Sequence, residues 1–342
     1  MTSAAPRTPE PAPDLGLIGR RRELGLLRLE LARRRLVALT GPAGVGKSRL
    51  AAAAACGPGR RLLSADLSGL LAPELLACSL VHALGLPDRP GMSELGSLAL
   101  GLAGRPTLLV LDGCERAQRL GAPVVEYLLG ACPELTVFAV GRRTLGLDGE
   151  QVLALGPLAE GAALELLAER ARRHGVPMPP DGYGRRSALT LCHLLDGNPL
   201  AIELAALRLR ELPPERLTVQ VALPSGLLAL RATALDGPGR PHRHRSLHAA
   251  AEWSHDLCTP AELLLWARLS ALPAGFNLAE AHRVCVDRSL PGAALEVAWQ
   301  GLRHGSVLVP DSAGDGRYRL PAVLRAYGRT QLPSNEPMYL KT

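Results

Sequence analysis

The sequence predicts an α/β fold: a parallel sheet with helices on both faces, followed by a helical lid domain and a small domain of helices and a hairpin. Three observations predict it. Between residues 35 and 155, short apolar runs alternate with longer stretches of helical period, the pattern left by parallel strands and their crossover helices. A glycine-rich turn, Gly41 to Gly46, joins the first apolar run directly to the first helical stretch. Beyond residue 158 helical periodicity takes over, and only two short β-prone runs appear near the end. At 342 residues the chain is long enough for two or three such parts.

In chain order, residues 1–16 carry Pro6, Pro9, Pro11 and Pro13 with no apolar core, so they read as a disordered lead-in rather than a signal peptide or anchor. A nucleotide-binding-sized domain is expected over 17–157. Its strands are Leu36 to Thr40, Leu62 to Leu67, Thr107 to Asp112, Thr136 to Val140 and Gln151 to Leu155. Helices are expected at Lys47 to Cys56, Pro73 to Leu84, Ser93 to Leu102 and Ala117 to Ala131. Residues 158–212 form the helical lid, with Ala163, Leu166, Leu167 and Ala171 on one face. Residues 213–245 hold Pro213, Pro214, Pro224, Pro238 and Pro241 among glycines and read as a hinge-bearing linker. From 246 to 331, four helices (246–257, 260–271, 278–286, 292–303) precede short strands near Val307–Val309 and Arg317–Leu320 and a closing helix. That order describes a winged helix. A polar tail, 332–342, ends the chain.

The formal charge of +7 comes from 37 arginines and only two lysines, Lys47 and Lys341, set against 32 acids. A chain so rich in Ala, Leu, Arg, Gly and Pro reads as the product of a GC-rich genome, so its charge says little about nucleic acid. The two surviving lysines draw attention for the same reason. Seven widely spaced cysteines with no C-x-x-C pair read as the reduced thiols of a cytoplasmic protein. No apolar run is long enough to span a bilayer.

The chemistry concentrates at Gly41-Pro42-Ala43-Gly44-Val45-Gly46-Lys47-Ser48, which matches the phosphate-binding loop in its required place between a strand and a helix. Composition alone predicts roughly 0.002 chance matches to this pattern in the chain. Glycines let backbone N–H groups approach phosphate oxygens, the helix N-terminus favours negative charge, Lys47 reaches the β- and γ-phosphates, and the Ser48 hydroxyl ligates Mg²⁺. Arg49 follows within the same contact region. A carboxylate is needed on a neighbouring strand to hold the metal through water, and Asp112 supplies it at the end of Thr107-Leu-Leu-Val-Leu-Asp112. Glu115 either orients an attacking water or simply opens a solvated helix. Gly113 stands where many hydrolytic relatives keep a second acid, so hydrolysis is expected to be slow. Arg142, after the fourth strand, is either a γ-phosphate sensor or one more instance of the default cation.

These segments together resemble a known class. Ile18-Gly-Arg-Arg-Arg-Glu-Leu24, Leu109-Val-Leu-Asp-Gly-Cys-Glu115, Gly141-Arg-Arg-Thr-Leu-Gly-Leu-Asp-Gly-Glu150 and Asp196-Gly-Asn-Pro-Leu-Ala-Ile-Glu-Leu-Ala-Ala206 are similar to motifs of the NB-ARC-like STAND P-loop ATPases. The resemblance is to the nucleotide-binding core of actinobacterial LuxR-type and antibiotic-regulator-type transcriptional regulators. It continues through His244 to Asp256 and Arg317 to Tyr327, so it covers roughly residues 17–331. It implies a switch that holds ATP or ADP with Mg²⁺, closes on ADP, opens and self-assembles or engages a protein partner on ATP, and hydrolyses slowly. It also implies that Arg20 lies on the adenine side and that Pro199 packs near the base. From the residues alone, Pro199 is equally a helix-opening proline. The resembled class carries Met-His-Asp or Leu-Leu-Glu late in the winged helix, where this chain has Leu320-Pro321-Ala322. Those regulators continue into a helical-repeat sensor and often a DNA reader, whereas no repeat of about 34 residues occurs here.

Alternatives from other classes are a DNA-associated regulator using the basic His242-Arg-His-Arg245 stretch and a scaffold that keeps ADP permanently. DNA binding is the less favoured, because aromatic residues are only 3% of the chain and the winged helix of the resembled class closes over nucleotide. A metal cluster of His242, His244, His248 and His255 lacks the Cys or acid that would complete it.

Overall fold

The computed structural model describes residues 17–332 apart from 58, 71–74, 88, 90, 117, 178–181, 234–240, 273–274, 312–313 and 315. The lead-in 1–16, the tail beyond 332, Pro73, Pro238 and Lys341 lie outside the described residues. The chain forms two compact units, one made of Met1–Gly41 with Gly46–Leu155 and the other of Pro42–Val45 with Gly156–Thr342.

The first unit is built on five parallel strands, β1 (Leu36–Thr40), β2 (Arg61–Asp66), β3 (Thr107–Asp112), β4 (Leu135–Val140) and β5 (Gln151–Ala154), in the order β2-β3-β4-β1-β5. Parallel strands covered on both faces read as continuous apolar runs, and β1 and β4 are buried along their whole length. Alternate residues serve opposite faces. Ala38, Leu109, Leu111, Val137 and Ala139 share one core with α3 (Leu76–Ala83), α4 (Glu94–Leu102) and α5 (Gln118–Ala131). The opposite face carries Val37, Leu39, Val110 and Phe138, all buried, and α2 (Lys47–Ala55) packs on β1, β3 and β4. Helix α1 (Arg21–Arg33) lies against α2, with Leu27 and Leu31 buried.

Two expectations are corrected in this unit. Helix α1 was not anticipated, because four arginines and Gly25 dilute an apolar stripe of only Leu24, Leu27 and Leu31. The strand carrying Asp112 is not the neighbour of β1, since β4 pairs with both. Crossover connections set strand order, and neither periodicity nor spacing records it.

In the second unit, α6 (Glu160–Arg173), α7 (Gly182–Leu194) and α8 (Pro199–Arg208) lie where residues 158–212 were expected to be helical. The expected linker is different. It contains α9 (Pro214–Ala222) and α10 (Pro224–Leu228), which bury Leu217, Val221, Leu227 and Leu228 and pack on α7 and on α15 (Ala322–Thr330) respectively. Pro214 and Pro224 each open a helix, a position where proline needs no backbone N–H. Two of the prolines that suggested a hinge, Pro214 and Pro224, are helix starts.

Helices α11 (Leu247–His255), α12 (Pro260–Ala271), α13 (Leu278–Cys285) and α14 (Gly292–His304) follow. The terminal strands are shorter and shifted, β6 (Val309–Pro310) pairing antiparallel with β7 (Tyr318–Arg319), because Val307 and Leu308 are buried ahead of the hairpin instead of joining it. Trp266 of α12, 1% exposed, donates from Nε1 to Leu324 O of α15 at 2.9 Å. The expected lid, linker and terminal segments pack as a single compact unit. No helix among the described residues is long and apolar enough to cross a membrane.

Candidate functional site: the phosphate loop

Strand β1 delivers the chain into the loop, and Gly46, with φ +98°, hands it to the first turn of α2. No side chain of Gly46 exists to cap that turn, so the backbone N–H groups at the helix start are presented to whatever the loop surrounds. Gly44 is required at the apex. Its φ is +76°, and a Cβ there would stand 2.7 Å from Asn198 Oδ1 and 2.7 Å from Leu200 Cβ. The approach is cemented by hydrogen bonds: Asn198 Nδ2 donates to Ala43 O at 2.8 Å, and Leu200 N donates to Gly44 O at 3.1 Å. Lys47 holds its ammonium 2.8 Å from Gly41 O. Ser48 is exposed at the start of α2, while Arg49 and Pro42 are half-buried and Val45 is buried.

At the carboxyl edge of the sheet, Asp112 ends β3 in register with Asp66 on β2 and Val140 on β4. Asp66, which no motif of the sequence marks, accepts from Ser68 N at 2.9 Å and so shapes the turn after β2. Gly113 has φ +74°, and a Cβ on it would meet Ser68 N at 2.8 Å. Backbone packing therefore accounts for a glycine, in place of a second acid, at this position.

Glu115 is not a solvated helix start. It sits in a 3₁₀ turn, Cys114–Arg116, and pairs with Arg142 (Oε1 to Nε, 3.7 Å), with side chains 9% and 7% exposed respectively. The two residues expected to act separately are brought together. The adjacent Cys114 is buried, and burial with the nearby Glu115 carboxylate pushes its thiol well above the ordinary range. Arg20, 5% exposed, pairs with Glu23 at 2.8 Å. Pro199 is the first residue of α8, whose cap is Asn198 accepting from Leu200 N and Ala201 N. His248 and His255 both pack edge-on to Tyr327, at 5.3 and 5.6 Å between ring centroids.

Residues the sequence did not single out complete the surroundings of the apex. Pro42, Ala43 and Asn198 share a small pocket with Leu247, Ala251 and Val323. Among its lining residues only Asn198 carries a polar side chain. The helical period of α11 and α15 marks these residues as core, and nothing in that signal distinguishes a pocket wall from packing.

The loop suits a phosphate chain: a glycine apex that a Cβ would fill, a helix start without a side-chain cap, and one ammonium. Ser48 and Asp112 carry oxygen donors, the hard type suited to Mg²⁺ or to the waters it keeps. A five-stranded parallel sheet flanked by helices, with this loop after β1, is the fold of the P-loop ATPases. Among solved structures the chain is similar to the Walker-type ATPase of Pyrococcus abyssi, with a TM-score of 0.61 and 16% identity, covering 92% of this chain and 96% of that one.

No family model matches the sequence. The chain is 34% identical over 325 residues to an uncharacterized protein of Mycobacterium tuberculosis, covering 92% of this chain and 81% of that protein, and it belongs to the same family. It is also 36% identical over 311 residues, 90% of its length, to a Mycobacterium tuberculosis protein that bears the name of an HTH-type transcriptional regulator. This chain spans about 35% of the length of that relative.

Proposed function

We propose that the chain is an ATP/ADP-binding regulatory switch of the NB-ARC-like STAND type, with slow or partner-stimulated hydrolysis, serving signalling or transcriptional regulation in the cytoplasm. The observation that carries the reading is the glycine loop with Lys47 at the head of α2, set with Asp112 at the carboxyl edge of one parallel sheet. Ligands of open parallel sheets bind at that edge.

In this reading Lys47 neutralises charge between the β- and γ-phosphates. Ser48 and Asp112 hold Mg²⁺, which supplies further charge neutralisation when bound. Arg142 senses the γ-phosphate and Glu115 orients water, and their mutual ion pair means that engaging one changes the environment of the other. Arg20 and Pro199 serve the base side. Residues 158–212 act as the lid and 246–331 as a winged helix that closes over nucleotide. The family relationship and the regulator name of the longer relative support a regulatory role.

The test is a titration of the full chain with fluorescent ATP and ADP in the presence of Mg²⁺. Lys47→Ala is expected to weaken binding of both at least about a hundredfold, consistent with the loss of a phosphate-contacting charge. Unchanged affinity in that variant overturns the reading.

A further inference from the structure

Between α7 and α8 the chain turns through Leu195-Asp196-Gly197-Asn198, and two of these side chains hold segments far away in sequence. Asp196 takes a left-handed conformation, φ +58°, which L-residues other than Asn and Asp seldom adopt. Its Oδ2 accepts from Arg319 Nη1 at 2.6 Å and from the backbone N–H of Ala322 at 3.3 Å. Ala322 is the first residue of α15, and the cap position before it is Pro321, which has no side-chain acceptor. Asp196 therefore supplies the missing cap while pairing with the arginine that leads from β7 towards that helix. The pair is sheltered, with side chains 21% and 24% exposed.

Two residues further on, Asn198 works on the phosphate loop. Its Oδ1 caps α8 through Leu200 N and Ala201 N, and its Nδ2 donates to Ala43 O. Leu200 N adds the bond to Gly44 O. In a planar trans peptide the C=O and the following N–H point in opposite directions. Anchoring the carbonyls of Ala43 and Gly44 on the Asn198 side thus aims the N–H groups of Gly44 and Val45 away from it, the orientation in which a loop of this kind offers donors to phosphate oxygens. The middle of the turn is pinned as well, by Leu158 N donating to Gly197 O at 2.9 Å.

We propose that Asp196 and Asn198 are positioning residues of the phosphate loop, and that the Asp196–Arg319 pair, acting through this turn, sets how long nucleotide stays bound. The proposal rests on the nucleotide-binding reading above. Loss of the pair frees the turn at one end. The loop carbonyls then lose a fixed partner at the other, and the N–H groups opposite them lose their aim.

The test measures release of a fluorescent ADP from the full chain, chased with excess unlabelled ADP, alongside the thermal unfolding midpoint. Arg319→Ala and Asp196→Asn are expected to speed release about tenfold, within the usual range of coupling between distant sites. Asn198→Asp keeps an acceptor to cap α8 but replaces the donor to Ala43 O, and it is expected to speed release to a similar degree. A purely structural role lowers the unfolding midpoint and leaves release from the folded protein unchanged, which overturns the proposal. If Arg319→Ala does not fold, Arg319→Gln, which keeps the stem and drops the charge, gives the same comparison. A wild-type chain that binds no ADP overturns the nucleotide reading together with this one. Wild-type binding that is lost in Lys47→Ala but released at an unaltered rate in the Asp196, Asn198 and Arg319 variants overturns the coupling alone.

Discussion

Lys47 places an ammonium 2.8 Å from Gly41 O at the head of α2, in a chain whose other cations are almost all arginine. A compact point charge on a flexible stem enters a loop that a planar guanidinium overfills. Lys47→Arg, conservative in charge, is therefore expected to weaken ATP binding at least about tenfold, measured by the same titration. Gly113 gives a second test. Gly113→Asp puts a carboxyl where hydrolytic relatives are expected to keep one, but its Cβ would meet Ser68 N at 2.8 Å with φ at +74°. The expected outcome is a loss of about 2 kcal/mol in urea unfolding with no gain in phosphate release, because the backbone must shift before the acid is placed. Arg142→Ala leaves the Glu115 carboxylate, 9% exposed, without the guanidinium beside it. A destabilisation of about 2 kcal/mol is expected, partly recovered in the Glu115→Gln/Arg142→Ala double variant, since removing both charges costs less than stranding one.

At the level of elements, each of the five main strands begins and ends within one residue of its sequence expectation; the central β1, β3 and β4, buried on both faces, write themselves as local apolar runs. The phosphate loop was legible for the same reason: its glycines, its lysine and its flanking strand and helix are contiguous. What was not legible lies in long-range pairing. Asn198 meets Ala43 across 155 positions and Asp196 meets Arg319 across 123, and neither spacing leaves a periodic trace. Prolines misled in α9 and α10, where the same residue that breaks a helix interior opens one. The junction after α13 carries a pH prediction of its own. Arg268, buried in α12, bonds Cys285 O and Asp287 Oδ2, both at 2.7 Å, and its hydrogen bond, with that of Ser289, holds the Asp287 carboxyl far below the usual range. A depressed carboxylate pKa stabilises the fold above the unfolded value, near 4, and that stability is lost as pH falls through the folded value. Asp287→Asn is expected to lower the unfolding midpoint at pH 7 and to flatten its fall below about pH 4, as read by thermal denaturation across pH.

At the scale of the molecule, the phosphate loop is drawn from both compact units: Gly41 and Gly46–Ser48 belong to the first, Pro42–Val45 to the second. A ligand that binds only the folded loop stabilises the chain that must be folded to form it, by about 2.7 kcal/mol at a hundred times its dissociation constant. Scanning calorimetry of the full chain with saturating Mg²⁺ and ADP is therefore expected to show a raised unfolding temperature. Lys47→Ala is expected to abolish the rise, and Asn198→Asp to reduce it, because the carbonyl of Ala43 loses the donor that holds it. A wild-type chain whose unfolding temperature ADP leaves unchanged overturns the nucleotide reading. A rise in Asn198→Asp equal to that of the wild type would show instead that the turn at Asp196–Asn198 transmits nothing to the loop, however well its hydrogen bonds are made.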